Sequence, residues 1–288
     1  MTPASKLLAR EMRRAFAEEV AKPDGSIRLE YAALLVAAED EAHMNIDVAE
    51  YLSRLERWAA LARERIAQST VETPIEAFNR FMFDELGLAG NQRDYYSPRN
   101  SYLNEVIDRR TGIPITLSIV YMGTGRRVGF SVEGVGLPGH FITRVREEKE
   151  DSLESTLVDP FHGRTLDMDD CQQRLDEVYG GQVALTEAHL RGATTREILV
   201  RLLTNLKAIY ARADLHRQAL VAVERILLLT PHAHDERRDR AALLSRLDRL
   251  PEAIAETESY LQLVPDAPDA AEAREQLKAL QRRQATRN

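Results

Sequence analysis

Cysteine, long apolar runs and an excess of positive charge are what this 288-residue chain lacks. Its single cysteine, Cys171, excludes an intrachain disulfide and fits a reducing cytosol. No apolar run approaches the roughly 18 residues that span a bilayer, and the charged N-terminus lacks the apolar stretch of a secretory signal. With 39 basic and 46 acidic side chains, the net charge of −7 argues against nucleic acid or an anionic membrane as a partner. We therefore expect a cytoplasmic protein that binds neither.

What the chain does contain is typical of a globular protein. Hydrophobic residues make up 44% of it and charged residues 30%, an ordinary balance for a folded domain. Its length is sufficient for two domains. We expect an N-terminal helix within residues 1–27, a mixed domain over 28–192 and a helical region over 193–288.

The middle of the mixed domain has the most informative pattern. Pro114 opens an apolar helix and Gly129 ends it, since proline is favoured at the first helical position and glycine just past the last. Upstream, Asp47 can cap one helix, and Thr73 with Glu76 forms a capping box at the start of another. Strand-like runs follow the apolar helix over 130–137, 140–146 and 155–158, and a helical pattern returns over 169–179. The sequence predicts an α+β fold, rich in helices, with a small antiparallel sheet.

A buried helix followed by strands that carry His140 and Asp159 is the layout of a papain-like or transglutaminase-like core. In such a core a thiolate attacks a carbonyl, a histidine moves the proton and a carboxylate orients the histidine. The thiol lies at the helix N-terminus, where the helix dipole lowers its pKa. In this chain that position is Pro114, which has no nucleophilic atom. We expect direct contact between His140 and Asp159, on adjacent strands beside the start of this helix.

Two hydroxyls near Pro114 offer an alternative nucleophile. Thr116 and Ser118 lie at different angles round the predicted helix. Either one, with His140 as base and Asp159 as its orienting carboxylate, would make a hydroxyl-based enzyme. The competing interpretation is a helix start that serves packing alone, which Pro114 favours.

The remaining cysteine and histidines have simpler interpretations. Cys171 comes too late in the domain for the nucleophile and is interpreted as a small helix-packing group. His162 is either a turn cap or an exposed loop residue. His232 and His234 do not have convincing metal-site spacing, and the sequence predicts no metal and no cofactor.

A polar and aromatic loop over 91–99 is the candidate binding element. It brings Tyr95, Tyr96 and, at its end, Asn100, which combine aromatic area with amide hydrogen bonding. That mixture is enriched at recognition sites. We expect these residues, beside His140, to bind a protein or peptide partner. The alternative is that the tyrosines only seal a junction between helices.

The last third of the chain repeats at an interval of 34 residues. Ala219 and Ala253 are one interval apart, as are Pro231 and Pro265. Alanine lets two helices approach closely and proline ends the second helix, which is typical of tetratricopeptide units. The pattern predicts an all-α region with a second interaction surface.

These motifs together resemble one family. The chain is similar to bacterial transglutaminase-like proteins with C-terminal tetratricopeptide-type repeats, whose founding members were named as regulators of invasion genes, through the segments NSYLNEVIDRRTGIPITLSIVY, EGVGLPGHFITRV, LVDPFHGR and ILVRLLTNLKAIYARADLHRQALVAVERILLLTP. The resemblance covers about residues 28–280. It implies a transglutaminase-like domain followed by helical repeats, with His140 and Asp159 at the triad positions. The family typically has the GIPI segment where the cysteine would be, as TGIPITL does here.

Two functional hypotheses follow. The first is a non-catalytic, transglutaminase-like pseudoenzyme that acts as a cytosolic protein-binding or regulatory module. The second is an amide hydrolase or acyltransferase that uses Ser118 or Thr116. Pro114 favours the first.

Overall fold

A computed structural model describes residues 3–40, 43, 45–147 and 155–287. The chain forms two compact units, Met1–Leu199 and Val200–Asn288. The helices of the first unit are α1 (Pro3–Val20), α2 (Leu29–Glu39), α3 (Val48–Gln68), α4 (Pro74–Arg80), α5 (Leu103–Arg109), α6 (Pro114–Val128) and α7 (Met168–Tyr179). Its strands are β1 (Ala89–Gly90), β2 (Thr111–Gly112), β3 (Phe130–Val135), β4 (Ile142–Glu147), β5 (Thr156–Asp159) and β6 (Arg164–Leu166).

The helix starts follow local capping chemistry. The Asp47 carboxylate accepts hydrogen bonds from the amides of Ala49 and Glu50 at the start of α3. At the start of α4, Thr73 and Glu76 form both halves of the predicted capping box. These predictions are confirmed, because each cap depends on residues within one turn.

Helix α6 is the centre of the first unit. It begins at Pro114 and ends at Val128. The next residue is Gly129, whose φ of 116° is a left-handed conformation that favours glycine, so the predicted bounds are confirmed. Every residue from Pro114 to Gly125 is buried. A Cβ at Gly125 would lie 2.9 Å from a methyl group of Val132 on β3, so this glycine is what lets the helix pack against the sheet.

The predicted antiparallel sheet is confirmed, with the strand order β3-β4-β5-β6. Strand β4 begins at Ile142, so the expectation that His140 lies within a strand is wrong. Pro138 and Gly139 precede His140, and the left-handed φ of 72° at Gly139 delays the extended conformation. Strand β6 was not predicted.

A cluster of apolar residues fills the space between this sheet and α7. Its buried members are Val135, Leu137, Ile142, Leu157, Leu166, Cys171, Leu175 and Leu190. Burial of one large aliphatic side chain stabilises a fold by about 1.5–3 kcal/mol. Cys171 is fully buried here, as expected of a packing group.

A short parallel pair of strands joins two segments that are distant in the sequence. Strands β1 and β2 pair in parallel through two residues each. The Gly90 amide donates a hydrogen bond to the Phe161 carbonyl (3.0 Å) and the Asn91 amide donates one to the Gly112 carbonyl (2.9 Å). A Cβ at Gly90 would lie 2.6 Å from Phe161. Gly90 and Asn91 therefore bind both the turn after β5, through Phe161, and the segment before α6, through Gly112.

The second unit consists of paired helices. They are the end of α8 (Thr195–Arg212), α9 (His216–Leu229), α10 (His234–Arg246), α11 (Leu250–Leu263) and α12 (Ala270–Ala285). Both bounds of α9 recur in α11 after 34 residues, and Ala219 and Ala253 are fully buried. Asp214 and Asp248, also 34 apart, both adopt a left-handed backbone. The predicted all-α repeat is confirmed. Within the described ranges, no helix has the length and apolar character that crossing a membrane requires.

Candidate active site

Asp159 is the centre of the candidate site. It ends β5, is fully buried, and its Oδ2 lies 3.0 Å from Nε2 of His140. The predicted contact between these two side chains is confirmed. His140 is nearly buried, with 8% of its surface exposed. Nε2 is the ring nitrogen that faces the carboxylate.

A tight turn after Asp159 adds a second histidine. The Oδ1 atom of Asp159 accepts hydrogen bonds from the amides of Phe161 (3.0 Å) and His162 (3.3 Å). The Gly163 amide closes the turn on the Asp159 carbonyl. His162 Nδ1 thereby lies 2.7 Å from Asp159 Oδ2. The sequence signal was available in the Asp-Pro-Phe-His-Gly spacing, but the turn alone was inferred from it.

Arg174 on α7 is a member of the site that sequence reasoning missed. Its Nη2 lies 2.6 Å from Asp159 Oδ2 and 3.2 Å from His162 Nδ1. The only local signal was that Cys171 and Leu175, its neighbours on the same helix, are apolar and therefore face inward. From the sequence alone, a buried arginine at position 174 could not be distinguished from a solvent-exposed one.

The charges of this cluster keep Asp159 ionised. Burial alone would raise the pKa of the Asp159 carboxyl, but the close contact and charge of His140, followed by the hydrogen bond and charge of His162, hold it well below its usual range. Asp159 can therefore orient His140 as an ionised carboxylate. This is the role of the carboxylate in a triad.

The start of α6 is the place where a triad of this superfamily would have its third member. Pro114 is buried there. The Thr116 hydroxyl donates to the Asn100 carbonyl (2.7 Å) and accepts from the Ile113 amide (3.2 Å). Ser118 is fully buried, and its Oγ has no hydrogen-bond partner among the residues that the structure describes. Neither hydroxyl is hydrogen-bonded to His140.

The two loop tyrosines lie beside this cluster. Tyr95 is 39% exposed and Tyr96 is 60% exposed, and their rings meet edge to face at 5.3 Å. The Tyr95 ring lies 6.0 Å from that of Phe161, which lies 6.2 Å from that of His140. A continuous row of aromatic rings thus connects the exposed tyrosines to His140.

Asn100 has a different place from the tyrosines. It is fully buried, and its Nδ2 donates to the carbonyls of Asp94 (2.7 Å) and Tyr95 (3.2 Å). Its Oδ1 accepts from Asn91 (3.1 Å) and Arg109 (3.3 Å). The amide is thus occupied within the loop, and it fixes the backbone that carries Tyr95.

One group of potential metal ligands is present within the described ranges. His140, Asp159 and His162 each offer one ligand atom, all within 4.8 Å of one another. Cys171 lies in the apolar core, where burial raises the pKa of its thiol.

Comparison with known proteins agrees with this architecture. Residues 49–204 match the transglutaminase-like superfamily and residues 206–278 match the tetratricopeptide repeat. The chain belongs to the transglutaminase-like superfamily. A UPF0162 protein of Xylella fastidiosa is 34% identical over 248 residues, which cover 84% of this chain and 86% of that protein. The resemblance seen in the sequence is therefore confirmed for the superfamily and for the fold.

Two further relatives differ in the length of sequence over which they align with this chain. Protein SirB1 of Salmonella typhimurium is 23% identical over 253 residues, 87% of this chain and 92% of that protein. F-box only protein 21 of Homo sapiens is 30% identical over 143 residues, 48% of this chain and 22% of that protein. The bacterial relative therefore matches along most of both chains, whereas the human protein shares one segment.

Proposed function

We propose that this protein is a non-catalytic member of the superfamily that acts as a protein-binding or regulatory module. The observation that carries this proposal is Pro114 at the nucleophile position. A buried proline ring at the first turn of α6 leaves the His140–Asp159 pair without an atom to activate. A protein that keeps the His140–Asp159 pair but cannot break bonds acts by binding a partner.

The contacts of the two hydroxyls argue against the enzymatic alternative. The hydrogen of the Thr116 hydroxyl is used in the bond to Asn100, which is itself buried. Ser118 is buried without a base in reach of its Oγ, whereas an activated serine needs one within hydrogen-bonding distance. An amide hydrolase or acyltransferase built on either hydroxyl would have to rearrange the start of α6.

The partner that we propose is a protein or peptide. Exposed tyrosines supply large, rigid contact area at low entropic cost, and they are enriched in the centre of interfaces. Tyr95 and Tyr96 are such side chains, and Asn100 holds the loop that presents them. The helical repeats provide a second surface, since stacked repeats of this kind form extended binding faces. The single buried thiol fits action in the cytoplasm.

Partner capture from a lysate of the source cells tests this proposal. The full chain is immobilised, and proteins retained by the wild type are compared with those retained by a Tyr95→Ala, Tyr96→Ala double variant and by His140→Ala. Leu61→Ala is the matched control, because Leu61 on α3 is an apolar side chain of similar exposure, 43%.

We expect the double variant to lose a protein that the wild type and Leu61→Ala both retain. Circular dichroism must show that the variants remain folded. If the double variant and His140→Ala retain the same proteins as the wild type, the two tyrosines and His140 do not carry the binding.

A further inference from the structure

The cluster round Asp159 has the composition of a metal site. His140 Nε2 and His162 Nδ1 lie 3.0 Å and 2.7 Å from the same carboxylate oxygen, Asp159 Oδ2. Two imidazoles and one carboxylate, with further positions left open, are a ligand set that divalent transition metals accept. We propose that these three side chains bind a divalent transition metal ion of the Zn²⁺ or Co²⁺ type.

The carboxylate is already fixed for such a role. The Oδ1 atom of Asp159 is held by the amides of Phe161 and His162, which directs Oδ2 towards both rings. Outer hydrogen bonds of this kind orient the carboxylates of metal sites. Asp159 is fully buried, whereas the His162 side chain is 36% exposed and gives an ion access from solvent.

Arg174 competes with the ion for this site. Its Nη2 contacts Asp159 Oδ2 at 2.6 Å and lies 3.2 Å from His162 Nδ1, so a positive charge already balances the carboxylate. Nδ1 of His162 can ligate a metal only when this nitrogen carries no hydrogen. The ion therefore binds only in exchange for the guanidinium, and its affinity is set by that competition.

Arg174 has an alternative ion-pair partner on the same helix. Glu177 lies one turn later on α7, and it has no ion-pair partner within the part of the chain that the structure describes. Arg174, Glu177 and His162 line the same hollow of about 340 Å³. Side chains three apart on a helix are neighbours, so Arg174 can turn to Glu177 and leave Asp159 to the ion.

Titration with Co²⁺ tests the proposal directly. The full chain, freed of any histidine tag and treated with a chelator, is titrated while visible absorbance and heat are recorded. The variants are His162→Gln, at a half-exposed ligand, and Arg174→Gln, which removes the competing charge. His189→Gln is the control, because His189 is a half-buried histidine outside the cluster.

We expect one saturable ion per chain in the wild type and in His189→Gln. Loss of a ligand in His162→Gln should weaken binding at least about tenfold. Arg174→Gln should strengthen binding about tenfold or more, because a cation no longer repels the ion. Circular dichroism checks that each variant is folded.

Three results would overturn the proposal. One is the absence of saturable binding in the wild type. The second is equal binding by His162→Gln and His189→Gln, which would place the ion elsewhere. The third is binding by Arg174→Gln alone, since the native arginine would then keep the ion out. Partner capture in the presence of a chelator is a separate measurement, so failure here leaves the proposed function untouched.

Discussion

The hydroxyl of Thr116 donates a 2.7 Å hydrogen bond to the backbone carbonyl of Asn100. The same oxygen accepts the Ile113 amide at the start of α6. One buried hydroxyl thus satisfies two backbone groups from two segments. It ties the first turn of the central helix to the end of the loop that carries Tyr95 and Tyr96.

Thr116→Val should therefore lower the free energy of unfolding by about 1–3 kcal/mol, because it leaves buried backbone groups without partners. Denaturation by urea measures the change. Thr124→Val is the matched control, since Thr124 is buried on the same helix and its hydroxyl bonds only the Val120 carbonyl one turn earlier. Equal losses in the two variants would contradict the special role of Thr116.

His43 predicts a pH dependence of stability. Its Nδ1 lies 3.3 Å from Asp40 and its Nε2 lies 3.0 Å from Glu105, so both carboxylates favour the protonated ring. The hydrogen bond to Asp40 raises the pKa of His43, and that to Glu105 adds to it, against the lowering effect of burial. Because the folded-state pKa is raised, this stabilisation is fully present below the unfolded-state value of about 6.5 and is lost as pH rises through the folded-state value.

Measurements of unfolding free energy between about pH 5.5 and 9 check this. The wild type should lose stability relative to His43→Gln as the pH rises above about 6.5. If the wild type instead gained stability relative to His43→Gln as the pH rises, His43 would not be charged in the folded state.

Gly90→Ala should be destabilising at the junction beside the site. The new Cβ would lie 2.6 Å from the ring and the carbonyl of Phe161, and overpacking of this kind costs about 1–3 kcal/mol. Gly25→Ala is the control, because a Cβ there meets nothing within 4 Å. Thermal unfolding compares the two, and similar midpoints would show that Phe161 moves away at little cost.

Glycine substitutions at the two equivalent aspartates of the repeats should have different effects. Asp214 and Asp248 both adopt left-handed backbone, with φ of 55° and 60°, which glycine accepts without strain. Asp248 also forms ion pairs with Arg283 and Arg287. Asp214→Gly should raise the free energy of unfolding by about 0.5–1 kcal/mol, because the relieved left-handed strain of roughly 1–2 kcal/mol exceeds the entropy that glycine adds to the unfolded chain, whereas Asp248→Gly should gain less. Equal gains, measured by chemical denaturation, would mean that the ion pairs contribute nothing.

Thiol-dependent acyl transfer should be undetectable. Cys171 is buried in the apolar core and burial raises the pKa of its thiol, so it is neither accessible nor ionised at neutral pH. Amine incorporation into a glutamine-containing substrate is measured before and after iodoacetamide treatment. Turnover that iodoacetamide removes, and that is absent in Cys171→Ser, would contradict the expectation.

Much of the fold could be predicted because its signals are local. The bounds of α6 depend on Pro114 at its start and Gly129 after its end, and the start of α4 depends on the Thr73–Glu76 capping box. The 34-residue interval predicted the paired helices of the second unit. Strand β6 gave no such signal, because its three residues are too few for an alternating pattern.

The site was only half predictable for a physical reason. His140 and Asp159 lie in the order that a triad layout requires, and they are in contact. Arg174 enters from α7, and only the packing of that helix on the sheet determines which of its polar residues turns inward. Asn100 is polar and follows a loop, which favours the surface, yet its amide is consumed by the loop's own carbonyls.

The bond from the Gly90 amide to the Phe161 carbonyl has a consequence for the order of events during synthesis. A ribosome that has released the chain only as far as α6 has delivered most helices of the first unit, which can begin to form. The backbone partner of Gly90 is still missing at that moment, as are Asp159 and everything that gathers round it. The cluster round Asp159 is therefore completed late, by a long loop closure. A nascent chain stalled before residue 161 would expose the loop over 91–99 without Phe161, whose ring contacts that of Tyr95 in the folded protein.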